Sequence, residues 1–374
     1  MSDVGSLLVR GNMLICCGSG GVGKTTVAAA LALAGARAGL RSCVVTIDPA
    51  RRLADALGLE TLPNVAHRVP ADTGSSPGGE LWALMLDPKT TFDELVSRYS
   101  ESSEQAERIL ENRLYRNISG ALSGTQEYMA AEKLFELAEE GKFDLLVVDT
   151  PPSRNALDFL EAPARLTKFL DNKLFRLVVG PSRGYLRAVS MAAQAFVRTV
   201  AKVVGAEVVD DAVAFFQAFE GMEEGFRERA DKVDEMLSGP NTAFVLVASA
   251  RKDTVAEAMY FSDRLRDMGK APRALVANRL HPRFGREGPT TASDVSLSDL
   301  AASDRGRAES LGDTPLGALY ANLAEFRQVA EREEEVLTPL IARVAPAPVC
   351  RVPYLEGDVS DLEGLGRVAE VLTA

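Results

Sequence analysis

Gly18-Ser19-Gly20-Gly21-Val22-Gly23-Lys24-Thr25-Thr26 decides the fold of this 374-residue chain. An apolar run at 13–17 precedes the stretch and predicts a strand, whereas an alanine-rich run at 27–38 follows it and predicts a helix. In that context the stretch matches G-x-x-x-x-G-K-[ST], the pattern of a phosphate-binding loop. Glycines let the main chain wrap around phosphates, whose negative charge is held by main-chain amides and the helix N-terminus. All nine residues are therefore predicted to bind nucleotide.

Two residues of the loop carry specific chemistry. Lys24 is expected to reach the β and γ phosphates and to act in catalysis, and the Thr25 hydroxyl is expected to ligate Mg²⁺. Gly18, Gly20 and Gly23 also match G-x-G-x-x-G, a pattern typical of dinucleotide-binding turns, in which Lys-Thr has no role. A glycine turn without a ligand would leave a cation at a helix N-terminus, where the dipole disfavours it. The nucleotide-triphosphate interpretation is favoured over these two alternatives.

Composition describes a large acidic protein. Its 46% hydrophobic residues suffice for one large α/β domain with an inserted helical part, and its net charge of -11 argues against nucleic acid as a partner. The sequence has neither an apolar run of about 20 residues nor a signal-peptide pattern. Four cysteines without a C-x-x-C pair predict neither structural zinc nor a disulfide framework. We expect a cytoplasmic protein, with a peripheral membrane location as the alternative.

Alternating strand and helix patterns predict the architecture. Such alternation requires crossover connections, hence a doubly wound, mainly parallel sheet of the P-loop NTPase type with an inserted helical subdomain. A polar stretch at 286–314 predicts a loop with one short helix, and 60–80 predicts an exposed loop. The ATPase core is assigned to residues 1–87, 141–152 and 238–374, and the helical subdomain to 88–140 and 153–237.

Asp149 is the second candidate for metal chemistry. It ends an apolar strand predicted at 143–149, as the Walker B carboxylate does when it holds Mg²⁺ through water. Aspartate at a strand end is often only a turn former. The presence of the phosphate-binding loop favours the metal role.

The predicted helices contain a basic segment at 160–206. Eight bases and two acids give it a charge of about +6 within an acidic chain. Either these helices form a subdomain whose apolar faces pack on each other, or they present a face to a partner, an apolar client or a membrane surface. Both interpretations remain open.

Four motifs in this order resemble the arsenite-pump and tail-anchored-protein-targeting ATPases, the ArsA/GET family, related to the dimeric MinD and ParA ATPases. They are the loop at 18–26, Asp48-Pro49-Ala50, Asp149-Thr150-Pro151-Pro152 and Asn278. The resemblance implies that Asp48 orients and activates the attacking water. It also implies that Asn278 bonds adenine and that the loop after Pro353 covers the base.

The sequence departs from the family at several positions. Ser19 stands where the family has a signature lysine that crosses the dimer interface, and charge of that kind is worth about 10³ to 10⁵ in rate. Three consequences are open: slow turnover, a substitute cation, or a mixed dimer with a paralogue that has the lysine. Arg51, Arg52 and Arg154 are the candidates for a substitute cation. Asn155 replaces a family histidine. Activation by arsenite is not expected, because metalloids need thiolate ligands that the helical region lacks.

The resemblance thus implies a Mg²⁺-dependent dimeric ATPase. Closure around ATP would rearrange the helical subdomain, which would hold an apolar protein client or a membrane-associated partner. Two alternatives remain: a nucleotide-gated switch or scaffold with negligible hydrolysis, and the ATPase subunit of an anion efflux pump.

Overall fold

A computed structural model describes residues 4–47, 51–71, 79–113, 125–171, 211, 214–215, 218, 221–284 and 296–374 of the chain. The chain divides into two compact units. The first comprises Met1–Met85, Lys142–Ala156 and Pro240–Ala374, and the second comprises Leu86–Gly141 and Leu157–Gly239.

The first unit is built on an eight-stranded sheet in the order β3-β4-β2-β5-β1-β6-β7-β8. All neighbouring strands are parallel except β3 and β4. The doubly wound, mainly parallel sheet predicted from the sequence is therefore confirmed. The strands are β1 (Asn12–Cys17), β2 (Arg41–Thr46), β3 (His67–Val69), β4 (Glu80–Met85), β5 (Leu145–Asp149), β6 (Thr242–Ala248), β7 (Pro272–Leu280) and β8 (Val349–Pro353).

Helices alternate with these strands along the chain. In chain order they are α1 (Lys24–Arg37), α2 (Arg52–Ala56), α3 (Pro88–Tyr99), α4 (Ser103–Leu110), α5 (Thr125–Glu139), α6 (Ser153–Leu170), α7 (Glu223–Ser238), α8 (Lys252–Asp267), α9 (Leu297–Leu311), α10 (Pro315–Val344) and α11 (Leu362–Thr373). A short 3₁₀ turn, Gly5–Leu7, precedes the first strand. Within the described part of the chain, no helix is long and apolar enough to cross a membrane.

Small residues on α1 set its distance from the sheet. Its alanines from Ala28 to Ala32 are fully buried, so the helix lies against the core with little side-chain bulk. A Cβ added at Gly35 would lie 2.5 Å from Ser42 Oγ and 2.6 Å from Leu145 Cδ2. This close packing holds the C-terminal part of α1 against the beginnings of β2 and β5.

Two segments are more regular than the sequence predicts. Within the exposed loop predicted at 60–80, β3 pairs antiparallel with β4. Where a short helix was expected, α9 has 15 residues, because Ser296 caps it by accepting from Asp299 N at 3.0 Å and the buried Asp304 pairs with Arg327 of α10. The helix predicted within 286–314 is therefore present but longer than expected, and 286–295 lies outside the described residues.

The second unit is helical, with an apolar cluster on α3, α4, α5, α6 and α7. A buried ion pair lies beside the cluster, with Arg229 Nε donating to Glu132 Oε1 at 2.6 Å, and the same guanidinium reaches Glu139 at 2.8 Å. Burial raises the pKa of Glu132, and the Arg229 charge opposes this rise. From residue 172 onward, the basic segment predicted at 160–206 lies outside the described residues.

Removing the guanidinium of Arg229 is expected to destabilise the second unit. Arg229→Met leaves the 1% exposed Glu132 buried without its cation, which typically costs about 3–5 kcal/mol. The matched control is Arg227→Met on the same helix, which breaks an exposed pair with Asp171 and should cost less than about 1 kcal/mol. Urea unfolding followed by circular dichroism compares the variants. Equal losses would contradict the importance of the buried pair.

Candidate functional site

The loop after β1 takes a conformation that only glycine adopts easily. Gly21 and Gly23 have φ angles of 79° and 89°, in the left-handed region. A Cβ at Gly18 would lie 2.1 Å from Val247 O, and a Cβ at Gly23 would lie 2.3 Å from Asn278 Nδ2. Gly20 and Gly21 are exposed. The loop is therefore packed tightly at both ends while its middle is open to a ligand.

Lys24 is the first residue of α1 and is buried at 8% exposure. Its ammonium donates to the main-chain oxygen of Ser19 at 2.9 Å. The positive charge therefore lies beside the first residues of the loop. Ser19 is only 4% exposed, and among the described residues its Oγ has no hydrogen-bond partner. The arrangement brings one cation, two exposed glycines and a helix N-terminus together, which is a site for a polyanion.

Asp149 lies at the carboxyl end of β5, beside the loop. Its Oδ2 accepts from Thr25 Oγ1 at 2.8 Å and from Thr46 Oγ1 at 3.1 Å, and the side chain is almost fully buried. Parallel pairing of β5 with both β1 and β2 aligns Asp149 with Cys16 and Thr46, so these contacts follow from the sheet register. The structure thus brings together the two residues predicted as metal ligands.

The oxygen atoms of Thr25 and Asp149 fit a hard divalent cation. Magnesium prefers oxygen ligands and usually keeps several waters, taking only one or two carboxylates from the protein. Among the described residues, no group of three or more His, Cys, Asp or Glu side chains could hold a metal by itself. A hydroxyl and a carboxylate beside a phosphate site are therefore the donor set that Mg²⁺ bound to a nucleotide requires.

The thiols near this site are inert. Burial raises the pKa of Cys17 to about 12, and burial together with the Asp149 charge raises that of Cys16 well above its usual value. Both side chains are almost fully buried on β1. A thiolate is the reactive and metal-binding form of cysteine, so neither residue fits a nucleophile or a soft-metal ligand.

Asn278 contacts the loop directly. Its Nδ2 donates to Val22 O at 2.8 Å, and its Oδ1 accepts from Arg279 N at 2.9 Å. Sequence interpretation singled out Asn278 for adenine binding, and that role stays a prediction. The contact with Val22 shows that the amide also holds the main chain of the loop.

Arg279 is the site residue that sequence analysis missed. Its Nη1 donates to Gly21 O at 2.7 Å, one residue before the carbonyl that Asn278 holds. Among the described residues, it alone combines a side chain with a positive φ, 60°. An Asn-Arg pair at the end of a buried strand was the available signal, but the left-handed backbone could not be predicted from it.

A cavity of about 190 Å³ lies beside the exposed glycines of the loop. Pro353 ends β8, and the next residue, Tyr354, lines this cavity. Tyr354 N donates to Leu280 O at 2.8 Å, which ties the segment after β8 to the end of β7. The other lining residues are Gly20, Gly21, Ser249, Ala250, Arg251, Asp253, Thr254, Arg279 and Glu333.

Several predicted residues are not placed. Asp48, predicted to activate water, lies outside the described residues with Pro49 and Ala50. The side chains of Arg154 and Asn155 also lie outside them. Arg51 and Arg52 are exposed at the start of α2, and their role as substitute cations stays a prediction.

Sheet order, loop geometry and the Thr25–Asp149 contact define the class: a P-loop nucleotide-binding α/β protein. The sequence model of a protein family described as anion-transporting ATPase matches residues 12–290. The chain belongs to that family of P-loop ATPases, which confirms the resemblance drawn from the four motifs.

Three curated proteins with different names are similar to this chain. ATPase GET3 of Malassezia globosa is 27% identical over 268 residues, covering 71% of this chain and 72% of the relative. The arsenical pump-driving ATPase of Escherichia coli is 24% identical over 315 residues, covering 81% of this chain and 45% of the relative. Protein Rv2184c of Mycobacterium tuberculosis is 33% identical over 194 residues, covering 49% of this chain and 45% of the relative. The chain thus spans less than half of the last two.

Adding a methyl group at Gly23 is expected to destabilise the first unit. Gly23→Ala combines a left-handed backbone, costing about 1–2 kcal/mol, with overpacking against Asn278, costing about 1–3 kcal/mol. The control is Gly20→Ala, where the added carbon meets nothing within 4 Å and stability should change by less than about 0.5 kcal/mol. Thermal unfolding measures both variants. A Gly23→Ala protein as stable as the control would contradict the close approach of Asn278.

Proposed function

We propose that this protein is a Mg²⁺-dependent ATPase that works as a dimer and couples ATP binding and hydrolysis to its helical unit. The contact between the Thr25 hydroxyl and the Asp149 carboxylate carries the proposal, because it brings a metal site to a phosphate-binding helix N-terminus. Bound Mg²⁺ would neutralise charge on the β and γ phosphates. Thr25 would ligate it directly, and Asp149 would hold it through water.

The loop residues would supply most of the remaining catalytic effect. Phosphoryl transfer depends on positioning and on stabilising charge, with little covalent chemistry left to the protein. Main-chain amides from Gly18 to Thr26 would hold the phosphates while Lys24 bonds the β and γ oxygens. Asp48 would orient and partly activate the attacking water, as expected from the first switch motif of the family.

Dimerisation is proposed because the chain resembles the dimeric ATPases of its family. Ser19 occupies the position of the lysine that crosses the dimer interface, and its buried hydroxyl supplies no positive charge. The partner is a second copy that turns over ATP slowly, or a paralogue that retains the lysine. Buried free thiols at all four cysteines agree with a reducing cytoplasm as the site of action.

The helical unit is the proposed element that responds to the nucleotide. ATP can drive a rearrangement only by binding the closed form more tightly than the open one. Membership in a family with ATPase GET3 supports an apolar protein client or a membrane-associated partner on residues 88–140 and 153–237. For the alternative of an anion pump, activation by arsenite has weak support, because Cys16, Cys17 and Cys43 are buried strand residues and offer no accessible thiolate.

A nucleotide-gated switch is the second candidate function. The buried Ser19 favours it, because stabilising charge of the missing kind is worth about 10³ to 10⁵ in rate. In that case Mg-ATP binding alone would set the state of the helical unit, with negligible hydrolysis.

The test measures Mg-ATP turnover over a wide range of protein concentrations. Lys24→Ala should lower the rate by roughly 10²-fold or more, as loss of one transition-state donor does. Asp48→Asn should lower it by roughly 10²- to 10⁴-fold, because a carboxylate that receives a proton is lost. The matched control is Lys252→Ala, which removes an exposed lysine at the first position of α8 and should leave the rate unchanged.

Specific activity that rises with protein concentration would support a dimeric ATPase of like chains. Background turnover with retained Mg-ATP binding would select the switch, or one half of a mixed dimer. A protein that binds no Mg-ATP would contradict both the ATPase and the nucleotide-gated switch.

A further inference from the structure

We propose that a second cavity, at the carboxyl ends of β2 and β4, binds a small carboxylic acid with an apolar body. The cavity has a volume of about 110 Å³ and lies in the first unit. The proposal goes beyond the ATPase function and does not depend on it. Apolar walls, together with a guanidinium that has no partner at the rim, carry the inference.

The position of the cavity is that of a ligand site in this class of fold. β2 ends at Thr46 and β4 ends at Met85, and the two parallel strands pair in register up to these residues. Both residues line the cavity. Ligands of open α/β sheets bind outside the carboxyl ends of the strands. The cavity therefore lies at the functional edge of the sheet.

Apolar side chains form the body of the cavity. Leu53 and Ala54 of α2 and Leu62 are buried, and Met85 is half-buried. Met85 N donates to Pro63 O at 3.1 Å, which fixes the segment that carries Leu62 beside β4. Protein interiors hold few voids larger than a water molecule, and one water needs only roughly 10–15 Å³. The space therefore suits the apolar part of a small organic molecule.

The polar side chains of the lining determine the class of ligand. Arg51 and Thr61 are exposed, and within the described part of the chain neither side chain has a hydrogen-bond or ion-pair partner. The planar guanidinium matches a carboxylate in charge and in geometry. The third polar residue, Thr46, is buried and already donates to Asp149. A carboxylate held at Arg51, with an apolar body between the leucines and Met85, uses the whole lining.

Thr46 connects the cavity with the predicted metal site. Its hydroxyl donates to Asp149 Oδ2 at 3.1 Å, and the residue itself lines the cavity. Among the described residues, no member of the phosphate loop at 18–26 lines this cavity. An occupant would thus contact a residue of the metal site without contacting the loop. The carboxylic acid and Mg-ATP are consequently expected to bind at the same time.

The experiment uses benzoate as the probe, because it joins a carboxylate to a flat apolar ring. NMR of the full chain with ¹³C-methyl methionine follows the methyl signal of Met85, which is identified by its loss in Met85→Leu. Benzoate should shift this signal saturably. The expected dissociation constant is about 10 mM or tighter, which is the affinity that ordinary ligand efficiency gives for nine non-hydrogen atoms.

Variants and a neutral probe test the two parts of the site separately. Arg51→Gln should weaken benzoate binding by about tenfold, because a charge-assisted hydrogen bond is lost. Benzyl alcohol, which has the ring without the charge, should bind both proteins equally. Ala54→Leu should abolish binding, because the larger side chain fills the cavity. The matched control is Arg68→Gln, which removes an exposed cation of β3 that does not line the cavity and should leave benzoate affinity unchanged.

Three results would overturn the inference. The first is the absence of a saturable shift of the Met85 signal, and the second is equal benzoate affinity in Arg51→Gln and the unsubstituted protein. The third is displacement of benzoate by saturating Mg-ATP, which would place benzoate in the nucleotide site. None of these results depends on ATP turnover, so the inference can fail while the ATPase proposal stands. A protein without ATPase activity could equally still bind benzoate.

Discussion

The buried carboxylate of Asp149 joins the parts of the first unit on which nucleotide chemistry depends. It accepts hydroxyl hydrogens from Thr25 of α1 and Thr46 of β2, while its own main-chain oxygen accepts from Ile47 N at 3.1 Å. A carboxylate that is 1% exposed requires such donors, because an unpaired buried charge is costly. The same bonds that satisfy Asp149 therefore fix the N-terminus of α1 against the ends of β5 and β2. The two predicted metal ligands, Thr25 and Asp149, are thereby held beside the predicted phosphate-binding loop.

The phosphate loop is held on its carbonyl side by β7. Asn278 and Arg279 bond Val22 O and Gly21 O, and Gly18 packs on Val247 of β6. A loop whose carbonyls are bonded to the protein can direct its amides to a ligand without reorganising, which is the form of preorganisation that charge stabilisation needs. The left-handed backbone of Arg279 costs about 1–2 kcal/mol. This local cost is offset by the contacts that it permits.

The two units use different means of specifying structure. In the first unit, strands that are apolar on both faces lie in a parallel sheet under helices, with α1 brought close by alanines and Gly35. In the second unit, the apolar cluster is accompanied by the buried pair of Arg229 and Glu132. Such a pair adds little net stability compared with apolar side chains, but it penalises arrangements that separate its members.

The sequence by itself determined the sheet, the phosphate loop and the two predicted metal ligands. These features follow from local patterns: an apolar run before Gly18, a helix-forming run after Thr26, and Asp149 at the end of an apolar strand. Only the tertiary structure decided the role of Arg279, the contact of Asn278 with Val22 and the full length of α9. These three features depend on residues that are distant in sequence. Arg279 is left-handed on β7, Asn278 bonds Val22 across 256 positions, and Asp304 of α9 pairs with Arg327 of α10. Local propensity carries no information about such partners, because their energies exist only once the sheet and the helices have come together.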